Sequence, residues 1–243
     1  MDKKLFLTVI IILISMFISL CDDSPSKSIE EYKCEYLYPI KSGNYWKYSK
    51  AINENKNPDT MKIFIQSTFD LNIEEEQFNA GIQQNLFHSL NYSNDFSTIM
   101  CNTDDGVYSL GSIYLNDTIT INPILKFKYP VELGDKWEFP VLNHFYYSET
   151  QKFLDTTYVE CIAENFDINT PVDTFSTIVY YYSLSQGSDV QCLSHYFYYF
   201  SPGFAMVALE IYSSPDSIYS FDNRDSQDLN TKYELIDYNI DNK

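Results

Sequence analysis

The residues whose chemistry can be read most directly are five cysteines. Cys21 closes an apolar run from Leu5 to Leu20 that is broken only by Thr8, Ser15 and Ser19 and preceded by Lys3 and Lys4. A short basic start followed by such a run is an export signal. A thiol at its end can take a diacylglycerol as a thioether, after which the preceding peptide is cut and Cys21 becomes the new N-terminus. The segment Ile18-Ser19-Leu20-Cys21 fits that processing, although Leu20 stands where a small residue is preferred. Cys34, Cys101, Cys161 and Cys192 form an even set, which in an oxidising compartment allows two disulfides in three pairings. Cys161–Cys192 is the most local pairing and leaves Cys34–Cys101; buried free thiols are the alternative. No CxxC occurs, so neither a redox motif nor a zinc ribbon is supported.

Other reactive types are scattered. His88, His144 and His195 lack metal-binding spacing, and no GxSxG elbow exists. Ser24-x-x-Lys27 matches a penicillin-binding nucleophile spacing, but it falls in a polar tether where no shielded site can form. The acidic groups Glu74-Glu75-Glu76, Asp104-Asp105 and Asp222/Asp225/Asp228 lack the calcium-loop pattern and read as solvated surface. The sequence therefore assigns no catalytic residue, no metal and no cofactor. A net charge of −18 excludes nucleic acid as a partner, because phosphate binding rests on Lys and Arg. What is abundant is aromatic: Tyr 22, Phe 17 and Trp 2. Tyr180 and Tyr182 alternate with Tyr181, as Tyr196 and Tyr198 do with Phe197. These four tyrosines are the candidate binding aromatics. They form either an exposed face that stacks sugars or docks a partner, or one side of a doubly packed strand.

The elements that must position these groups follow from periodicity. Residues 1–20 read as a lipoprotein signal peptide and 21–35, with Pro25 and three serines, as a flexible tether. Met61 to Gln66 and Thr157 to Cys161 alternate apolar and polar, as half-buried strands do. Ser176–Leu184, Leu193–Phe200 and Phe204–Tyr212 are rich in Thr, Val, Tyr and Phe. Ile73 to Ser89, with its Glu, Gln and Ala, reads as a short helix. The sum is an all-β, antiparallel fold, a sandwich or open barrel with two similar halves.

The halves are marked by a repeated motif. Tyr38-Pro39-Ile40-Lys41-Ser42-Gly43-Asn44-Tyr45-Trp46 matches Tyr129-Pro130-Val131-Glu132-Leu133-Gly134-Asp135-Lys136-Trp137, with both tryptophans in the same slot. Phe69-Asp70-Leu71-Asn72 matches Phe166-Asp167-Ile168-Asn169, and Gly106 matches Gly203. In each copy proline ends the preceding segment and the Gly-Asn or Gly-Asp pair makes a tight turn. Tryptophan then covers the start of a strand. The boundaries expected are 36–126 for the first β repeat, 127–221 for the second and 222–243 for a C-terminal tail.

The segment Tyr38 to Tyr48 resembles a motif, roughly Y-x-P-L-x-x-G-N-x-W-x-Y, near the start of a family of functionally uncharacterised bacterial envelope lipoproteins. The second copy around Pro130 to Trp137 and the late aromatic stretch from Tyr198 to Leu209 resemble the same layout. Phe204-Ala205-Met206 departs from it where the family shows a second glycine. The resemblance implies a bacterial cell-envelope address, lipid-anchored (outer membrane, periplasmic or surface-facing), and transfers no catalytic residues. The function expected is therefore non-enzymatic binding or assembly by an envelope protein held to the membrane through Cys21, with an envelope protein or a glycan as partner. A lipid or lipoprotein carrier with an apolar concave sheet and an envelope hydrolase using an acidic pair are the alternatives.

Overall fold

The computed structural model describes residues 36–52, 59–73, 75–87, 96–114, 117–142, 153–185, 193–214 and 229–241. They form twelve strands: β1 (Tyr45–Ile52), β2 (Asp59–Ile73), β3 (Glu76–Phe87), β4 (Phe96–Thr103), β5 (Gly106–Tyr114), β6 (Asp117–Lys128), β7 (Lys136–Leu142), β8 (Phe153–Asn169), β9 (Thr174–Ser185), β10 (Leu193–Ser201), β11 (Ala205–Ser214) and β12 (Leu229–Asn239). All belong to one antiparallel sheet in the order β6-β5-β4-β3-β2-β1-β12-β11-β10-β9-β8-β7. The chain is all-β, as its alternation predicts. The order is a meander, with β1 and β12 at its centre and β6 and β7, neighbours in sequence, at its two edges.

Two expectations need correction. The described part of Ile73–Ser89 is not helical: its first residue ends β2, and Glu76–Phe87 is β3, laddered to β2 on one side and β4 on the other. Helix-favouring Glu, Gln and Ala lose here to two flanking ladders, because strand preference is set by neighbours more than by the residue itself. The segment 222–243 is not a tail. Leu229–Asn239 is β12, paired to β1 and β11, with Tyr233 and Leu235 in the core. Each half of the sheet thus has six strands, and the second runs on to Asn239.

The two motif copies fold alike. Asn44 N donates to Lys41 O at 3.1 Å, and Asp135 N donates to Glu132 O at 3.0 Å. Gly43 and Gly134, the third residues of these turns, have φ of 90° and 86°, a region that favours glycine. Gly43 N donates to Ile65 O, and Ile65 N to Asn44 O; Gly134 N donates to Cys161 O, and Cys161 N to Asp135 O. Each turn is thereby locked onto the second strand of its own half. The matched Phe-Asp-(Leu/Ile)-Asn segments also share a register. Phe69 faces Ala80 and Asn72 faces Gln77, while Phe166 faces Thr177 and Asn169 faces Thr174.

Bulges decide which face each apolar row covers. Along β2, Met61, Ile63 and Ile65 point inward. The register slips between Ile65 and Ser67, and Phe69, Leu71 and Ile73 then lie on the opposite face, packed with Ala80, Ile99, Cys101 and Leu110. β8 does the same. Val159 and Cys161 face inward, the register slips twice before Phe166, and Phe166 then packs on Tyr199 at 5.9 Å.

The sheet curls until β6 faces β9 and β10. Phe127 on β6 meets Tyr180, Tyr198 and Phe200 with ring centroids 5.4, 5.4 and 4.4 Å away. No ladder joins β6 to β7 among the described residues. Side chains close the seam instead: Trp137 Nε1 donates to Lys126 O at 3.3 Å, Tyr180 OH donates to Lys128 O at 2.7 Å, and Lys128 Nζ pairs with Asp135 at 2.6 Å.

The segment before β1 fills the end of the barrel where the short turns lie. Leu37 and Tyr38 are buried there. Gly203 N donates to Tyr36 O, Asn102 Nδ2 donates to Tyr38 O, and Tyr38 OH donates to Gln83 Oε1 at 2.9 Å. Ile40 lies directly over Gly81, where an added Cβ would come within 2.3 Å of Ile40 Cγ2 and 3.3 Å of Ile65 Cγ2. Both partners are short branched side chains with little room to move. Gly81→Ala is therefore expected to cost about 1–3 kcal/mol through overpacking, read as a lower urea midpoint; an unchanged midpoint would show that Ile40 does not sit in this notch.

Candidate functional site

The candidate aromatics lie on the inward face of β9 and β10. Cross-strand pairing sets Tyr196 beside Tyr182 and Tyr198 beside Tyr180. Strand alternation then sends Tyr196, Tyr198 and Phe200 inward, and His195, Phe197 and Tyr199 to the other face. Both rows are covered: Phe200 and Tyr180 inside, His195, Phe197 and Tyr199 outside, are all buried. β10 is thus a doubly packed central strand. Tyr180 is fully buried and belongs to the core rather than to a binding face: its hydroxyl is spent on Lys128 O and its ring packs edge-on against Trp137 at 5.7 Å.

Tyr182, Tyr196 and Tyr198 differ from it. They are half-buried and face inward rather than out to bulk solvent. Their rings stack, with Tyr182–Tyr196 at 4.7 Å and 13°, Tyr182–Tyr198 at 5.4 Å and 18°, and Tyr196–Tyr198 at 6.4 Å and 20°. The hydroxyls of Tyr182 and Tyr198 are 2.9 Å apart and hydrogen-bonded. Burial raises all three hydroxyl pKa values, that of Tyr198 to about 12, so the stack is neutral at physiological pH.

The opposing wall comes from β3, whose sequence resembles a helix, and from β4. Gln83 and Asn85 on β3 and Thr98 on β4 share the inward face, and Gln83 Nε2 donates to Asn85 Oδ1 at 3.2 Å. The two walls meet through rings: Tyr38, bonded to Gln83, packs on Phe200 at 6.4 Å, and Phe200 packs on Tyr198 at 6.3 Å. Period-two spacing of Gln83 and Asn85 is the signal for an inward polar row, hidden by helix-favouring composition.

The outward face of β10 and β11 holds ionisable groups that motif reading does not single out. Glu210 is buried and accepts from Tyr199 OH at 2.8 Å and Tyr212 OH at 3.1 Å, with Lys232 Nζ 3.6 Å away. Lys232 also pairs with Glu234 at 2.8 Å. His195 Nδ1 meets Tyr181 OH at 2.9 Å, and burial lowers the His195 pKa. A carboxylate with two hydroxyl donors and a cation is compensated, so this cluster reads as structural. Its signal in the sequence is one carboxylate in the apolar run Phe204–Tyr212.

Cys101 and Cys161 are buried free thiols, not half-cystines. They lie in different halves and on opposite faces, Cys101 outward beside Ala80 and Ile99, Cys161 inward beside Tyr180. Cys21, Cys34 and Cys192 lie outside the described residues, as do His88, His144 and Asp222/Asp225/Asp228. Trp46 is fully buried against Tyr38 at 5.0 Å, while Trp137 is half-buried at the seam. Among the described residues no cluster of His, Cys, Asp or Glu could hold a metal ion, and no helix is long and apolar enough to cross a membrane.

The fold and site together define a single-sheet, all-β protein with an aromatic-lined interior. No family model and no curated protein matches the chain. Two solved structures are similar to it. One is a "putative lipoprotein" from Parabacteroides distasonis ATCC 8503, 15% identical, aligned over 85% of this chain and 99% of that one with a TM-score of 0.51. The other is a "putative exported protein" with a YmcC-like fold from Bacteroides fragilis NCTC 9343, 10% identical, aligned over 85% and 100% with a TM-score of 0.46.

Burial pushes both described thiols up to about 11 from an ordinary 9.0. The protonated thiols thus favour the fold below pH 9.0, and that contribution is lost as pH rises toward about 11. Iodoacetamide at pH 8 is expected to leave Cys101 and Cys161 unmodified in the native protein and to alkylate both in guanidinium. Peptide mapping reads this, and rapid native labelling at either position would contradict the burial described.

Proposed function

We propose that this chain is a non-enzymatic, lipid-anchored protein of a bacterial cell envelope whose all-β body serves binding or assembly. The observation that carries the binding role is the stack of Tyr182, Tyr196 and Tyr198, inward-facing yet reached by solvent. Tyrosine offers a large apolar face and a polar tip, which suits a reversible contact surface. The anchored address is supported by the apolar run Leu5–Leu20 ending at Cys21, and by a polar stretch before Tyr36 long enough to hold the body clear of a bilayer. A "putative lipoprotein" of similar architecture is in keeping with it. We also infer that the halves arose from one duplicated unit, on the strength of the two identical turn locks and the shared β2–β3 and β8–β9 registers.

In this reading the anchor sets the place and the interior does the work. The diacylglycerol on Cys21 fixes the chain at a membrane, while the net charge of −18 keeps the body off anionic headgroups. Mass spectrometry of the membrane-extracted protein should find Cys21 as an acylated N-terminal residue, and Cys21→Ser should move the protein from the membrane fraction to the soluble one. A free, unmodified Cys21 in the mature protein would end the anchored reading.

A further inference from the structure

We propose that the turn end of the barrel is a membrane-contact surface that rests on the interface of an electrically neutral, zwitterionic lipid bilayer. The inference rests on the anchored reading of Cys21 and adds which side of the body faces the lipid. The turns at 104–105, 129–135, 170–173 and 202–204 lie at this end, and the chain enters the body here, at Tyr36. Residues 22–35 join that point to Cys21, and fully extended they reach at most about 50 Å. A stretch that can hold the body clear of a bilayer also lets this end settle on it. Of the two ends of the barrel, this is the one tied to the lipid.

Apolar side chains stand exposed on these turns. Six large ones are exposed among the described residues, and Tyr36, Leu133, Val172 and Tyr238 are at the turn end. The other two stand apart, Tyr158 on the wall at β8 and Leu229 at the opposite end of β12. The turn-end group is joined. Tyr36 O accepts from Gly203 N at 2.9 Å, which brings Tyr36 to the turn that carries half-buried Phe204. Phe204 packs edge-on against Tyr238 at 5.5 Å and Phe175 at 5.3 Å, and Val172 is on the turn that leads into Phe175. Leu133 stands on the β6–β7 turn, its N–H held by Glu164 on β8, the strand that leads to Val172. Scattered apolar residues are ordinary on a surface, but a joined group marks a contact.

The chemistry selects the occupant. Tyrosine has a flat apolar ring and a polar tip, and a bilayer interface offers hydrocarbon on one side and hydrated headgroups on the other. Anionic lipids do not fit. Lys41 and Lys128 at this end are paired with Asp241 at 2.9 Å and Asp135 at 2.6 Å, while Asp104, Glu132 and Asp173 stand on the turns. With −18 on the whole chain, a negative surface repels this end. The patch is too small to hold the protein alone. The tether makes the contact by keeping the patch at a high local concentration beside the surface, so Cys21→Ser still releases the protein.

The test is hydroxyl-radical footprinting, read by peptide mass spectrometry, of the acylated full chain in phosphatidylcholine vesicles and of Cys21→Ser free in buffer. Oxidation of Tyr36 and Tyr238 should fall by at least about three-fold in the vesicles, while that of Tyr158, exposed on the wall, stays unchanged. In vesicles of equal phosphatidylcholine and phosphatidylglycerol the protection should shrink at low salt and return at high salt. Tyr36→Ser combined with Tyr238→Ser should re-expose Leu133 and Val172 on phosphatidylcholine; should that pair fail to fold, the first comparison decides without it. Unchanged oxidation of Tyr36 and Tyr238 in vesicles, equal protection of Tyr158, or protection that deepens with anionic lipid would each overturn the proposal. So would protection of the same tyrosines in vesicle-free Cys21→Ser that grows with protein concentration, since a second copy would then be the occupant. Unchanged oxidation alongside an acylated Cys21 would remove this surface and leave the anchored reading intact, whereas an unmodified Cys21 would overturn both.

Discussion

A sheet of twelve strands has two bare edges, and among the described residues side chains rather than a twelfth ladder bring them together. The carbonyls of Lys126 and Lys128 on β6 are taken by the Trp137 indole and the Tyr180 hydroxyl, and Phe127 sits between these contacts as a wedge against Tyr180, Tyr198 and Phe200. Unpaired edges invite association with other chains, and closing them by side chains removes part of that liability. Closure also creates the interior. Without the seam, the inward tyrosines and the Gln83 wall would be the open face of a curved sheet.

The seam gives equivalent positions different work. Trp46 and Trp137 follow the same turn, yet Trp46 starts a central strand and is fully buried, its indole N–H lacking a hydrogen-bond partner among the described residues. Trp137 starts an edge strand and spends the same N–H on the opposite edge. The aromatic excess follows from the same geometry. A strand covered on both faces, as β10 is, needs large side chains at every position, and Tyr199 and Tyr212 supply the hydroxyls that let Glu210 be buried.

Local features were legible in the sequence where local chemistry decides them. The turns at Gly43 and Gly134 follow from Gly-Asn and Gly-Asp before a tryptophan, and the alternation of Met61 to Gln66 marks the buried half of β2. What neighbours decide was not legible. Glu76–Phe87 has helix-favouring residues and becomes a strand because β2 and β4 flank it. Residues 229–239 follow a polar, aspartate-rich stretch, and only their partners β1 and β11 make them central. The bulge after Ile65 is marked in the odd-numbered apolar pattern only by Ser67; Phe69, Leu71 and Ile73 resume it, yet they lie on the other face. For the site, alternation grouped Tyr180 with Tyr182 and Tyr196 with Tyr198 on one side of their own strands, and the β9–β10 register then set the two pairs side by side. Which face was inner, and that Tyr180 would be consumed by the seam, depend on β6 lying across from β9.

The central claim, that side chains and not a ladder close the barrel, is tested most directly by native-state amide hydrogen exchange of Tyr180→Phe. The substitution removes one hydroxyl and keeps the ring. The account predicts a loss of about 1–3 kcal/mol of protection, from the unsatisfied Lys128 carbonyl, confined to β6 and β7 while β2 and β3 keep theirs. Unchanged exchange at β6, or an equal loss across all twelve strands, would contradict it.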